Sequence, residues 1–227
     1  MTSRVGSTLE FRNLRRLDWD AAAAEQERVA AAIETGRGPD TVLFVEHEPV
    51  YTLGLRLRPE NFRGPYDPAH GSFQGVPVRR AWRGGELTFH GPGQLVVYPI
   101  LRLPRGAGAL HRLVCAYQDI VIAVAADLGI AAFARDDAIG VWTDRGKVAS
   151  IGVGLRRGLT RNGFAINVAV DRAYFEPIVP CGRPDDRVAN FADFLPSRIS
   201  VDDVRPLVEK HFIRAGDVVS ASPEGSV

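Results

Sequence analysis

Two side chains in this sequence have the chemistry of a nucleophile and its proton partner, Cys181 and Lys147. Cys181 lies in Val179-Pro180-Cys181-Gly182, a stiff, turning backbone that gives a thiol little steric cover. That setting suits a thiol presented into a cleft; it equally suits a semi-buried loop cysteine with no role. Lys147 leads into Val148-Ala149-Ser150-Ile151-Gly152, a largely apolar run, so its amine either snorkels outward or points into a site. Of the 28 basic residues only Lys147 and Lys210 are lysine, and the other 26 are arginine. Guanidinium stays charged, whereas an amine can shift its pKa and exchange a proton, so Lys147 stands out. Lys210 falls in a polar C-terminal helix as a solvated surface charge. If Lys147 faced Cys181, its charge would favour the thiolate; spacing alone does not bring the two together.

The segment Arg83-Gly84-Gly85-Glu86-Leu87-Thr88-Phe89-His90-Gly91-Pro92-Gly93-Gln94 is the strongest local feature. Its glycines let a backbone approach a ligand closely. Arg83, Thr88, His90 and Gln94 add polar groups beside the amides. A tight hairpin with incidental polar residues has the same signature. No Gly-Lys-Ser/Thr closes the segment, so it is not a P-loop, and it lacks the strand–GxGxxG–helix order of a dinucleotide fingerprint. His47, His70, His111 and His211 are scattered singly, without metal-ligand spacing, and no metal is expected.

Positioning these groups requires a framework. A strand is expected over Thr8–Leu17, then a helix from Asp18, its N-cap, to Thr35 before Gly36. Thr41–Val45 and Val50–Leu53 read as strands, and Arg56–Gly75 as a long loop of the kind that forms lids or partner surfaces. Strands follow at Val76–Trp82 and Gln94–Leu103, with a glycine turn between them. The apolar helix Gly108–Leu128 carries Cys115 as a small core side chain. Gly140–Thr143 and Lys147–Val153 form a hairpin about Asp144-Arg145-Gly146, and Gly163–Val170 is a further strand. Ser200 caps a last helix, Val201–Ala215.

The 227 residues suit one domain, 1–227, of mixed sheet and flanking helices with flexible ends at 1–7 and 219–227. The net charge of +1 argues against nucleic acid. No apolar run approaches the roughly 20 residues that span a bilayer, so no membrane partner is expected. The N-terminus lacks a signal-peptide core, which points to the cytoplasm. Two cysteines cannot make a disulfide framework.

Several blocks together resemble the lipoyl/octanoyl transferase family, the octanoyl-[acyl-carrier-protein]:protein N-octanoyltransferases of lipoate biosynthesis. They are Glu46–Gly54, Arg83–Gln94 continuing to Tyr98-Pro99-Ile100, Gly140-Val141-Trp142, Lys147–Gly152, Gly163–Val168 and Pro180-Cys181-Gly182, covering about Leu43 to Leu195. The resemblance implies an α/β (α+β) fold like that of biotin and lipoate-protein ligases. It implies acyl transfer through a thioester on Cys181, with Lys147 lowering the thiol pKa and serving as general acid and base. It also implies an acyl site lined by Arg83, Gly84, Gly85, Glu86, Leu87, Thr88, Phe89, His90, Ser150, Ile151, Gly152, Gly163, Phe164 and Ala165. The donor would be octanoyl-acyl carrier protein. The acceptors would be lipoyl domains of 2-oxoacid dehydrogenase complexes and the glycine cleavage H protein. No cofactor is implied, because a thioester is already activated. Phe89 replaces the usual tyrosine, removing a hydroxyl from the expected wall. Asn162 replaces a frequent histidine, which puts a hydrogen bond there in doubt. The rivals are an ATP-dependent lipoate- or biotin-protein ligase and a non-catalytic module that holds an acyl carrier.

Overall fold

The structure, a computed structural model, describes residues 9–56, 58–103, 106–183 and 186–216; both expected flexible ends lie outside the described residues. β1 (Glu10–Leu17) leads into α1 (Trp19–Glu34), which Asp18 caps by accepting from the Ala21 amide at 2.8 Å. β2 (Thr41–His47) and β3 (Val50–Leu53) follow. The next stretch is not one long loop. It holds two 3-10 turns, Pro59–Asn61 and Pro68–His70, and the short strand β4 (Ser72–Phe73). Phe62 and Phe73 pin it down by packing with Tyr51, Leu87 and Phe89.

After β5 (Val76–Arg80), the glycine-rich segment contains a strand absent from the sequence expectation, β6 (Leu87–His90), before β7 (Gln94–Ile100). The long apolar helix α2 (Ala109–Asp127) precedes β8 (Phe133–Arg135), also unexpected, and β9 (Ala138–Thr143). β10 (Gly146–Arg156) and β11 (Leu159–Asn167) are longer than expected at their shared end. Arg157 and Gly158, at φ +51° and +76°, make a two-residue turn that joins them. Ser200 and Asp203 form a capping box for α3 (Val201–Arg214).

The strands make two sheets. The larger is mixed, in the order β1-β2-β7-β11-β10-β9-β8, and the smaller runs β4-β5-β3-β6. β2 and β7 are continuous apolar runs because helices cover both of their faces. Val42, Phe44, Leu95 and Val97 meet α2 and α3, whereas Leu43, Val45, Val96 and Tyr98 meet α1. α2 does have the length and apolarity of a membrane span. Here its Leu113, Tyr117, Ile120, Val121 and Val124 are buried in the core.

Candidate functional site

The β9–β10 hairpin carries Lys147, directly opposite Trp142. The ladder shifts between Lys147 and Ala149, a bulge that re-aims side chains at that point. Lys147 is buried to 6% exposure, with Nζ 4.9 Å from the centroid of the Trp142 ring. Residues 187–189 run parallel beside it. The Lys147 amide donates to the Arg187 carbonyl at 2.7 Å, and the Ala189 amide donates to the Lys147 carbonyl at 3.0 Å.

Upstream of that strip the chain makes a 3-10 turn, Pro180–Gly182, whose middle residue is Cys181; the Cys181 side chain lies outside the described residues. Two contacts fix the turn's backbone. The Val179 amide donates to the Asn61 carbonyl at 2.7 Å, tying it to the Pro59–Asn61 segment. Gly182, at φ +67°, leaves no room for a Cβ because the Glu86 carboxylate occupies that space. Asn61 Nδ2 in turn donates to Glu86 Oε2 at 2.6 Å. Lys147, Val179 and Gly182 all line one cavity of about 1320 Å³. The segment following the turn is tethered to the β8–β9 turn by charge. Asp137 pairs with both Arg135 and Arg183, and Asp186 pairs with the same two arginines.

The glycine-rich segment crosses the far wall. The Gly84 amide donates to the Val153 carbonyl at 3.0 Å, and a Cβ on Gly152 would lie 3.0 Å from the Gly84 carbonyl oxygen. The Arg83 guanidinium is buried and donates to the Thr52 carbonyl at 2.8 Å, the Thr52 hydroxyl at 2.7 Å and the Gly84 carbonyl at 3.0 Å. Gly84, Gly85, Ile151 and Gly152 form the wall between the large cavity and a smaller one of about 40 Å³. Arg83, Thr88, His90, Ser150, Gly163, Phe164 and Ala165 line the smaller cavity, and Glu86 the larger.

Two of the expected lining residues sit elsewhere. Leu87 and Phe89 are fully buried in the core of the small sheet, where Phe89 stacks on Tyr174 at 4.5 Å between centroids. The tyrosine-to-phenylalanine departure therefore alters that core and not a cavity wall. Asn162, in the place of the frequent histidine, makes two hydrogen bonds of its own. Its Nδ2 donates to the Trp82 carbonyl at 3.0 Å, and its amide donates to Gln26 Oε1 of α1 at 2.8 Å. Asn162 also tolerates the left-handed φ of +57° found there. Cys115 is half-buried on the cavity wall, with Sγ 3.6 Å from His111 Nε2, and not in the core as expected.

Behind the smaller cavity lies a buried polar network. Gln94 Nε2 donates to Asn167 Oδ1 at 2.9 Å, so Gln94 Oε1 accepts from His90 Nδ1 at 2.7 Å. Asn167 Nδ2 reaches the Lys147 carbonyl at 3.3 Å. His47 Nδ1 donates to the Leu17 carbonyl, leaving Nε2 to accept from Tyr98 Oη at 2.8 Å. Burial lowers the pKa of His90 to about 3 and of His47 to about 4, so both rings are neutral. Burial pushes the Tyr98 phenol up, keeping its proton in place. Asn61, His111 and the Arg135–Asp186 cluster carry no spacing signal in the sequence, whereas Trp142 lies in the block Gly140-Val141-Trp142 and Asn167 in Gly163–Val168.

The model of the lipoyl protein ligase A/B catalytic domain matches residues 18–213. An octanoyltransferase of Geobacter metallireducens is 42% identical over 202 residues, which cover 89% of this chain and 91% of that protein. The chain belongs to the octanoyltransferase family. Among solved structures, lipoate-protein ligase A bound with ATP superposes with a TM-score of 0.70 at 17% identity, covering 97% of this chain and 89% of that one. A biotin protein ligase of Aquifex aeolicus in complex with biotin gives 0.51 at 14% identity, over 92% of this chain and 71% of that one. These two likenesses establish the α/β fold shared with both kinds of ligase.

Proposed function

We propose that this chain transfers an octanoyl group from octanoyl-acyl carrier protein, through a thioester on Cys181, to the target lysine of lipoyl domains. Those domains belong to 2-oxoacid dehydrogenase complexes and the glycine cleavage H protein. The observation that carries this reading is the cavity wall shared by Lys147 and the residues flanking Cys181, Val179 and Gly182.

The chemistry starts from a Cys181 thiolate beside a Lys147 ammonium, a charge pairing that favours the thiolate. The thiolate attacks the thioester carbonyl. The carrier's sulfur leaves and takes a proton from Lys147, which becomes a neutral amine. The acceptor lysine's amine then attacks the acyl-enzyme and gives a proton to Lys147. The amide forms, Cys181 is expelled as thiolate, and Lys147 is an ammonium again. Splitting the transfer in two is the gain of covalent catalysis. Proton transfer by a positioned group supplies roughly 10²–10⁴ in rate. No step needs ATP, a metal or a cofactor. A reduced thiol is required throughout, which agrees with a reducing compartment such as the cytoplasm.

Both protein substrates would meet the mouth of the cavity. Its charge is mixed and not uniformly basic: Arg135 and Arg183 are matched by Asp137 and Asp186, while exposed Arg56 and Arg58 have no carboxylate within ion-pair distance among the described residues. These two supply the attraction for an acidic partner, and KM for either substrate is expected to rise with salt.

Intact-mass analysis after mixing with octanoyl carrier protein, without ATP, tests the reading. A hydroxylamine-labile octanoyl adduct at Cys181 is expected. It is absent from Cys181→Ser, and Lys147→Arg transfers very slowly because guanidinium cannot cycle a proton. An ATP requirement, or full turnover by Cys181→Ser, would overturn it.

A further inference from the structure

Lys147 is held by more than its backbone. Gly140, at φ +148°, faces it across the hairpin: a Cβ there would lie 2.5 Å from Lys147 Cε, 2.8 Å from the Ala149 carbonyl oxygen and 3.0 Å from Trp142 Cη2. The space of the missing methyl is filled by the lysine stem. Gln118 of α2 fixes this position by donating to the Gly140 carbonyl at 3.0 Å. On the indole side, Lys147 Nζ lies 4.9 Å from the Trp142 centroid, within the distance at which a ring quadrupole attracts a cation. The Arg135 guanidinium is 5.2 Å from the same ring, and Asp137 and Asp186 match its charge.

We propose that Gly140 and Trp142 form a slot that holds the Lys147 amine in place, and that both are positioning residues for its proton transfers. The catalytic part of this inference rests on the transferase reading; the slot itself does not. A lysine side chain has four rotatable bonds, and its freedom must be lost before its proton can be delivered to one sulfur or taken from one amine. Gly140 removes the obstacle to the stem, the bulge after Lys147 aims it, and the Trp142 face holds its head. The aromatic face is the part that leucine cannot reproduce and phenylalanine can.

The chain's two lysines make the placement directly observable. In protein labelled with ¹³C-lysine, the Lys147 Hε resonance is expected upfield of that of Lys210 through the ring current of Trp142. The shift persists in Trp142→Phe and disappears in Trp142→Leu, with Lys210 unmoved. In single-turnover acylation by octanoyl carrier protein, Trp142→Leu and Gly140→Ala are expected to slow Cys181 acylation by roughly tenfold or more. KM for the carrier stays near its wild-type value, and Trp142→Phe recovers most of the rate. Two unshifted lysines in the wild-type spectrum would overturn the slot. Equal rates in the leucine and phenylalanine variants would overturn its role. Should Trp142→Leu not fold, the wild-type spectrum still decides the placement and Trp142→Met against Trp142→Phe decides the role. A wild-type protein that shows the shift yet never acylates Cys181 would defeat the transferase reading and leave the slot standing.

Discussion

His90 and His47 stay neutral in the folded chain because burial withholds a proton that free imidazole accepts near pH 6.5. Between about pH 6.5 and their folded values near 4 and 3, the unfolded state therefore binds more protons than the native one. Stability is complete above pH ~6.5 and declines as pH falls, each pKa unit being worth about 1.4 kcal/mol. The thermal midpoint is expected to drop steeply from pH 7 to 4.5, and His47→Gln is expected to flatten part of that drop; an unchanged slope would refute the assignment. At this scale the sequence was legible where residue type restricts chemistry. Lys147 stood out because arginine fills nearly every other basic position, and Cys181 because Pro180 and Gly182 bend its backbone. Residues that reach the site only through tertiary contact, such as Asn61 on Glu86, carry no periodicity or spacing and were illegible; Gln94 and Asn167 lay in patterned blocks, but their meeting did not show in the sequence. Cys115 was misread for a related reason: its apolar neighbours along α2 point to several faces, and its own turn faces the cavity.

Among the elements, the helices and the continuous apolar strands were the most readable, since caps and burial on both faces leave strong local patterns. The β10–β11 connection was missed because its turn is Arg-Gly in place of the Asn-Gly that marks such hairpins. Arg157 occupies left-handed backbone at φ +51°, and its side chain is exposed and pairs with Glu34. Arg157→Asn is therefore expected to raise stability by about 0.5–1 kcal/mol in urea unfolding, the gain from a residue suited to that conformation. β6 was hidden by glycines on both sides; its Leu87–His90 pairing with β3 depends on a partner some 35 residues away. Close backbone packing makes a complementary test. A Cβ on Gly163 would strike the Val97 carbonyl and lie 2.5 Å from Pro99 Cδ, whereas one on Gly36 would meet nothing within 4 Å. Gly163→Ala is expected to cost about 3 kcal/mol or more, because the obstructing carbonyl belongs to a neighbouring central strand. Gly36→Ala is expected to cost only about 1–2 kcal/mol, from its left-handed backbone. Equal losses would show that space at position 163 is not limiting.

For the molecule as a whole, composition and charge argued against a nucleic-acid footprint, and the order of helices and strands suggested an α/β fold, whereas the second sheet and the strand order required coordinates. The two sheets meet at the candidate site: β10 of the larger contributes Lys147, and the segment leading into β6 of the smaller contributes Glu86 against the Gly182 backbone of the Cys181 turn. The four-charge tether around Asp137 is partly exposed and so screened by solvent; its loss is expected to loosen the segment that bears Cys181 more than it lowers global stability. Faster hydrogen exchange at the Lys147 amide in Asp137→Asn, with an unchanged thermal midpoint, would register that difference. One thin boundary has a wider consequence. Gly84, Gly85, Ile151 and Gly152 line both cavities and form the partition between them. On the proposed reading a fatty tail that reaches from the larger chamber toward Ser150, Gly163 and Ala165 must pass this glycine partition, which then works as a ruler. A valine at position 152 would thicken it, and competition among six-, eight- and ten-carbon donors would move toward the shortest.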